Sequence, residues 1–556
     1  MAAQAVEERV EEACISAEEL DPGRAPVVHA RRLPSLRLPW ALLLVLVVQA
    51  GASLPLIWSN TAFGDEALYL WLGHHEIAHW FQGGVGGWAY QSKISGAPQI
   101  YPPIAALLDS TPLHLAAVRL FALVLMLAAT ALLYRAALIL YGQPAAIAAS
   151  IVWATTEGAL RMGAFATFDP MAIFCICAAM WAVVETTVRA RRLAFATTAG
   201  LLLALGGLTA YSYAIYIPAV IAGAAVLWNS RLDRRLATSS TLWLAGVTAV
   251  VFSCTATLLD VWEGMFVTTV SRALPDQRST TDIVQSVWSL DGLAIVLCAI
   301  GAVIGISRAR TRGERLWLSI MLATALIVPL YQVVAVHTDW SLDKHLACGV
   351  WIAALCAAAG AKGLSIRGTR RAAVFGVAAL ATVGLGWNGW FEAFQVQKGW
   401  ANTASLVTAV RRFAPQLHGE AVASLPPQIL AYYTVPGSLR PSSLQWFAPV
   451  NFSRSGTPAE LRRYYESTLA RVAPRLVVLT YPGSVPTLSA SAGGVARRLR
   501  QLSIEDNKNI AAFTAVLLSE SPRYTVVATG PYDFGVQLAG GFRRGSWVMW
   551  RLEGAR

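Results

Sequence analysis

The chain has 556 residues, is 56% hydrophobic and only 14% charged, and has a mean hydropathy of +0.51. Soluble domains carry about 25% charged residues, so the composition excludes a soluble globular protein, and the same apolar content excludes intrinsic disorder. A net charge of +12 with a pI near 9.5 would suit a nucleic-acid partner, unless another rule decides where the charge sits.

Residues 1–39 form a polar, acidic tail that holds Cys14. The apolar pattern begins only near Trp40, too late for a cleaved signal peptide. Eleven apolar stretches then follow, each read as a membrane span: 40–58, 113–134, 144–160, 170–188, 194–210, 214–228, 238–259, 288–306, 316–335, 346–361 and 372–391. The six remaining cysteines (Cys175, Cys177, Cys254, Cys298, Cys348 and Cys356) lie inside these stretches. They show no C-x-x-C spacing, which argues against a disulfide scaffold or a cysteine zinc site.

The connecting loops alternate in basic content. Arg135, Arg189, Arg191, Arg192, Arg231, Arg234, Arg235, Arg308, Arg310, Arg312, Arg315, Lys362, Arg367, Arg370 and Arg371 fall in one set. The other set, with its helix ends, holds Lys93, Arg119, Arg161, Arg272, Arg278 and Lys344. Fifteen against six, in alternation, places the N-terminus in the cytoplasm and everything after about Phe391 outside. Residues 392–556 hold a further 18 of the 44 basic residues. The positive charge is therefore divided between a topology signal and an exterior segment, and no nucleic-acid partner is expected.

The longest outer loop is 59–112, and within it Asp65–Gln82 reads as a helix lying along the membrane interface. In the tail, helical periodicity at 404–413, 458–471 and 508–518 alternates with strand-like Arg475–Thr480, Tyr524–Ala528 and Ser546–Leu552. The expected architecture is an α-helical polytopic membrane domain, 40–391, followed by an extracytoplasmic α/β domain, 392–556.

Four constellations could carry chemistry. Gly64-Asp65-Glu66-Ala67-Leu68-Tyr69 sets two carboxylates at a helix start, where the dipole favours their ionised form. They could simply cap the helix, or one could act as general base toward a hydroxyl. Thr167-Phe168-Asp169-Pro170 puts an acid at the outer end of the fourth span; Asp-Pro is an ordinary helix start, yet the acid could share a substrate or cation with Asp65. Ser341-Leu342-Asp343-Lys344-His345 offers a lone cation at a membrane boundary, which could snorkel or bind a phosphate, and Arg272 is a similar candidate. His75-Glu76-Ile77-Ala78-His79 fits H-E-x-x-H, with Leu290-Asp291-Gly292 as a source of a third zinc ligand. Against zinc, that helix borders the glycine-rich Gly83–Gly87 in an outer loop rather than a packed core.

The order of these elements, together with Gly96-Ala97-Pro98-Gln99-Ile100-Tyr101-Pro102-Pro103, resembles the GT-C glycosyltransferases that use polyprenyl-phosphate sugars. The resemblance is to the family 39 group, and within it to the actinobacterial phospholipid-carrier-dependent type, over about 40–400. It implies a GT-C-like membrane domain and inverting transfer of a hexosyl or pentosyl group from the carrier to a glycan, lipid or protein acceptor outside the cytoplasmic membrane. By position, Asp65 would be the base, with Glu66 and Asp169 placing the acceptor or a divalent cation (Mg or Mn). Lys344 and His345 would meet the carrier phosphate, with Arg272 and Tyr101 as further candidates; Tyr69 would line the acceptor groove, and His74 and His79 would line that groove or hold the interfacial helix in place. Two departures stand out. Tyr101 occupies a position where relatives often have Lys, with Lys93 or Arg272 as substitutes, and Leu208-Thr209 is followed by Ala210 and Tyr211 where some relatives have Lys. A membrane zinc protease and a non-enzymatic lipid or solute transporter stay open as alternatives. The latter is disfavoured because no inverted repeat is evident and the acids gather at the outer surface.

Overall fold

The computed structural model describes residues 39–83, 91–92, 94–270, 278–338, 341–362, 369–413, 422–424, 427–434, 473–482, 521–537 and 541–553, with isolated positions at 463, 466, 467, 470 and 518. Lys93, Arg272, nearly all of the polar tail at 1–39 and most of the helices expected at 458–471 and 508–518 lie outside these residues.

The first span is α1 (Trp40–Ile57), and α2 (Gly64–Gln82) is the helix expected in the first outer loop. Glu66, in the first turn of α2, reaches back to the Phe63 amide at 2.8 Å, the acidic half of a capping box. The short α3 (Tyr101–Asp109) opens on Pro102-Pro103 and packs across α2. Their approach is so close that a Cβ on Gly73 would lie 1.9 Å from the Pro102 carbonyl oxygen, which only glycine allows.

The remaining membrane part comprises α4 (Leu115–Tyr141), α5 (Gln143–Ala154), α6 (Glu157–Met162), α7 (Asp169–Glu185), α8 (Arg192–Thr209), α9 (Tyr216–Arg231) and α10 (Arg234–Leu258). After the short α11 (Trp262–Met265) come α12 (Thr280–Arg308), α13 (Arg312–Ala325), α14 (Ile327–Tyr331), α15 (Leu342–Ala357) and α16 (Thr369–Gln397). Nine of the eleven expected spans each fall on one helix, whereas 144–160 covers both α5 and α6 and 316–335 runs through α13 and α14. Among the described residues, seven helices are long and apolar enough to cross a bilayer, or eight if the 49° bent pair Arg312–Ala325 and Ile327–Val336 counts as one span. Two of the others are short: α5 has 12 residues and α7 has 17. The chain is a multi-pass membrane protein. α12 breaks at Asp291, whose φ of −135° and ψ of 20° leave the helical region.

Beyond α16, α17 (Ala404–Phe413), β1 (Val422–Ser424), α18 (Pro427–Thr434), β2 (Leu476–Pro482), β3 (Tyr524–Gln537) and β4 (Gly541–Leu552) build a mixed sheet of order β1-β2-β4-β3. β1 pairs parallel with β2, and β4 is antiparallel to both of its neighbours. One face of α17 (Leu406, Val410) and Leu430 of α18 close over Leu476, Val478, Trp547 and Met549.

This α/β part is tied to the membrane part through the link between α1 and α2. Asn60 Nδ2 donates to the carbonyls of Gln397 (3.2 Å) and Trp400 (2.9 Å), and Trp400 Nε1 donates to the Thr61 carbonyl (3.0 Å). The Ala62 amide donates to the Tyr433 hydroxyl (2.8 Å), while Ile429 packs on Ala62 and Ala67.

Candidate active site

Three helix starts converge at one end of the bundle: Asp65 in the first turn of α2, Asp169 as the first residue of α7, and Lys344 in the first turn of α15. Lys344 Nζ donates to Asp65 Oδ2 at 2.7 Å and lies 3.9 Å from Asp169 Oδ2. The Lys344 and Asp169 side chains are 9% and 2% exposed, whereas Asp65 is 40% exposed. The cluster thus has a buried half and an open half, and Asp65 is its solvent-facing acid. Thr167 Oγ1 donates to Asp169 Oδ2 at 2.8 Å. The ammonium also sits 5.2 Å from the ring centre of Phe165 and 5.9 Å from that of Phe63, contacts that favour a cation in place of water.

Glu66 faces the other way. It is fully buried and accepts from Arg119 Nε (2.9 Å), Arg119 Nη2 (2.7 Å), the Phe63 amide (2.8 Å) and the Ala166 amide (2.7 Å). Arg119, equally buried, also donates to the carbonyls of Ile57, Asn60 and Thr61. This pair fastens α1, α2, α4 and the loop before α7 together, and it leaves Glu66 no lone pair turned toward Asp65. Tyr101 is buried beneath the site, and its hydroxyl has no hydrogen-bond partner among the described residues. Burial, with Glu66 and Asp169 adding, holds that hydroxyl well above the ordinary tyrosine pKa.

The groove candidates disperse along α2. Tyr69 packs its ring 4.5 Å from Phe168. His74 Nε2 lies 2.9 Å from Asp109 Oδ2, and Tyr432 of α18 donates to Asp109 Oδ1 at 2.7 Å, so His74 belongs to the junction with the α/β part. His79 is fourteen residues from Asp65 along α2, a helical rise of about 21 Å. His345 turns its ring edge-on to Tyr213 at 5.7 Å.

The H-E-x-x-H residues are engaged otherwise. The His75 ring meets Trp71 at 4.5 Å, and burial, then His74, lowers its pKa. Glu76 accepts from Trp80 Nε1 at 3.0 Å, and Asp291 accepts from the Glu157 amide. Among the described residues no three His, Cys, Asp or Glu side chains gather in a metal-holding arrangement.

Sequence reasoning counted Arg119 and Arg161 only as loop cations and passed over Asp109 and Tyr432. A signal for Arg119 existed: a charge in an apolar helix needs a buried partner, and Glu66 stood at a capping-box position.

The model of the dolichyl-phosphate-mannose-protein mannosyltransferase family matches residues 82–259, which include Asp169 but neither Asp65 nor Lys344. ArnT from Cupriavidus metallidurans in its apo state is similar over 91% of this chain and 97% of its own, at 11% identity and a TM-score of 0.57. The fold is that of the GT-C glycosyltransferases. ArnT bound to undecaprenyl phosphate superposes at 0.53. The Archaeoglobus fulgidus oligosaccharyltransferase in its apo form matches 90% of this chain and 74% of its own, at 12% identity and 0.51. The mycobacterial arabinofuranosyltransferase AftD matches 92% of this chain but 39% of its own, at 14% identity and 0.51. No curated protein matches at the sequence level.

Proposed function

We propose that this GT-C protein transfers a sugar from a polyprenyl-phosphate carrier to an acceptor hydroxyl at the outer face of the cytoplasmic membrane, with inversion. The observation that carries this reading is the Asp65–Lys344–Asp169 cluster, an open acid joined to a buried cation where three helices start. The family match, and ArnT having been captured with undecaprenyl phosphate, support a carrier of that class.

The cluster suggests the course of the reaction. The carrier phosphate draws the Lys344 ammonium toward itself and so releases Asp65. The Asp65 carboxylate takes the proton of the acceptor hydroxyl as its oxygen attacks the anomeric carbon from the face opposite the phosphate. The bond from that carbon to the phosphate oxygen breaks, its electron pair stays on the oxygen, and polyprenyl phosphate leaves as a dianion facing Lys344. Asp169 holds Lys344 within reach, and Glu66 acts as a positioning residue through Arg119. A divalent cation does not suit this donor set, because the ammonium already lies between the two carboxylates and Glu66 is saturated. Lys344 supplies the positive charge in its place. By the arginine pattern of the loops, the site faces outward and the α/β part lies outside; the transferred group is a hexose or pentose, and the acceptor is a glycan, lipid or protein.

Mass spectrometry of lipid-linked sugars and envelope glycans, with and without the gene, tests the reading. Asp65→Asn should abolish transfer and leave carrier binding within about two-fold; a fully active Asp65→Asn protein refutes it.

A further inference from the structure

A second charged cluster stands behind Lys344. Arg161 of α6 is 3% exposed; its Nη1 contacts the Asp343 carboxylate and lies 3.5 Å from Glu157 Oε1, itself fully buried. Asp343 and Lys344 are neighbours in the first turn of α15, yet one is held by Arg161 and the other by Asp65. Consecutive helical side chains point about 100° apart, so fixing Asp343 fixes the direction in which Lys344 leaves the helix.

Other features make that anchor necessary. Ser341, the N-cap of α15, sits in the left-handed region (φ 60°, ψ 13°) and makes no side-chain capping bond. This helix start therefore lacks the restraint a serine usually supplies. Arg161 itself stands on a fixed base. Thr156 caps α6, the Glu157 amide donates to Asp291 at the break in α12, and a Cβ on Gly158 would lie 2.8 Å from the Ala347 Cβ of α15. One ring also joins the two cations, with Phe165 4.8 Å from the Arg161 guanidinium carbon and 5.2 Å from Lys344 Nζ.

We infer that Arg161 is a positioning residue that acts through Asp343 to aim Lys344 at the carrier phosphate. The inference rests on the proposed reaction for its purpose, but the aim of Lys344 can be read without any carrier. The chain has five lysines, among them Lys344, Lys362 and Lys398. Lys344 is 9% exposed and Lys362 is 48% exposed. Acetylation of the full-length protein with a water-soluble amine reagent, followed by peptide mass spectrometry, gives the rate at Lys344 relative to Lys362. Loss of a charge-assisted contact should raise that ratio about ten-fold in Arg161→Met and in Asp343→Asn, and Arg161→Lys should stay near wild type. The ratio for Lys398, which donates to the Ser59 carbonyl, should not move. An unchanged Lys344 ratio, or an equal rise at Lys398 from general loosening, overturns the inference.

Titration with undecaprenyl phosphate supplies the functional arm. Arg161→Met should weaken binding about ten-fold alone, and by less than two-fold when added to Lys344→Met. Additive losses would mean that Arg161 meets the phosphate directly, which also overturns the inference. If Lys344→Met leaves binding unchanged while the labelling ratio still responds to Arg161, it is the reading of the reaction that fails, and the positioning stands.

Discussion

Lys344→Met is the most exacting test of the site, because it removes the charge and keeps much of the side-chain volume. Asp169, 2% exposed, then keeps the Thr167 hydroxyl as its hydrogen-bond donor and feels the Arg161 guanidinium only through space. The Lys344–Asp169 separation of 3.9 Å corresponds to ~4 kcal/mol of attraction at an effective dielectric constant of about 20. Stripping one partner from a buried pair costs about 3–5 kcal/mol in general, so the two estimates agree. Asp65 adds little to this loss, because at 40% exposure water can replace the ammonium. The variant should therefore unfold at a clearly lower temperature, and Asp169→Asn in the same chain should recover most of the loss by removing the stranded charge. In function, a charge-assisted bond to the carrier phosphate is worth about 1.5–3 kcal/mol, or about a 10- to 150-fold rise in Kd. Thermal unfolding and undecaprenyl phosphate titration in lipid nanodiscs measure the two effects. An unaltered unfolding temperature together with a Kd within two-fold of wild type would refute the proposed role.

Arg119→Met should cost about 3–5 kcal/mol by stranding Glu66, read as loss of folded protein in detergent; a variant that folds normally would show that this pair does not fasten the bundle. Tyr432→Phe removes a 2.7 Å bond to Asp109, worth about 1.5–3 kcal/mol. Amide exchange in α18 should accelerate about ten-fold or more while α17 keeps its protection, and equal acceleration in both would refute the latch. Transfer activity should survive EDTA, since Lys344 stands where a cation would be shared; activity lost to the chelator and restored by Mg or Mn would overturn that assignment.

The helical scaffold was legible because bilayer thickness imposes a length on each apolar run and arginine marks its loops. α5 and α6 show where that logic weakens. A single expected span at 144–160 is two helices, because Thr155-Thr156 interrupts the ladder and Thr156 caps a new start by accepting from the Ala159 amide. Within the site, Asp65, Asp169 and Lys344 were each visible as charges at helix starts, but their contact depends on residues 279 apart in the chain. Glu66 was misleading for a definite reason. The adjacency of Asp65 and Glu66 suggests a shared task, whereas neighbouring helical side chains diverge by about 100°. Only the buried Arg119, 53 residues away, decides which of the two turns inward. α18 carried no readable signal, since its eight residues are helical chiefly through packing of Ile429 and Tyr432 on α2 and the α4 start.

The charge balance of the cluster connects these pieces to the chemistry. Two carboxylates and one ammonium leave an excess negative charge at the proposed binding place of an anionic carrier, which by pairwise attraction alone would be unfavourable. Three helices start there, however, and each N-terminus carries roughly half a positive charge from its aligned peptide dipoles. These dipoles are fixed by the fold and need no reorganisation as the reaction proceeds. Their effect grows with the charge on the phosphate, so the departing dianion is held more strongly than the bound monoanion. Such an arrangement favours the leaving group over the substrate, the difference that lowers a barrier. A neutral Asp65→Asn variant isolates this contribution. By removing one negative charge it should bind free undecaprenyl phosphate at least as tightly as wild type while transferring no sugar. Weaker binding of the free phosphate by that variant would show that Asp65 helps to hold the carrier, and the division of labour between an open acid and a buried cation would have to be abandoned.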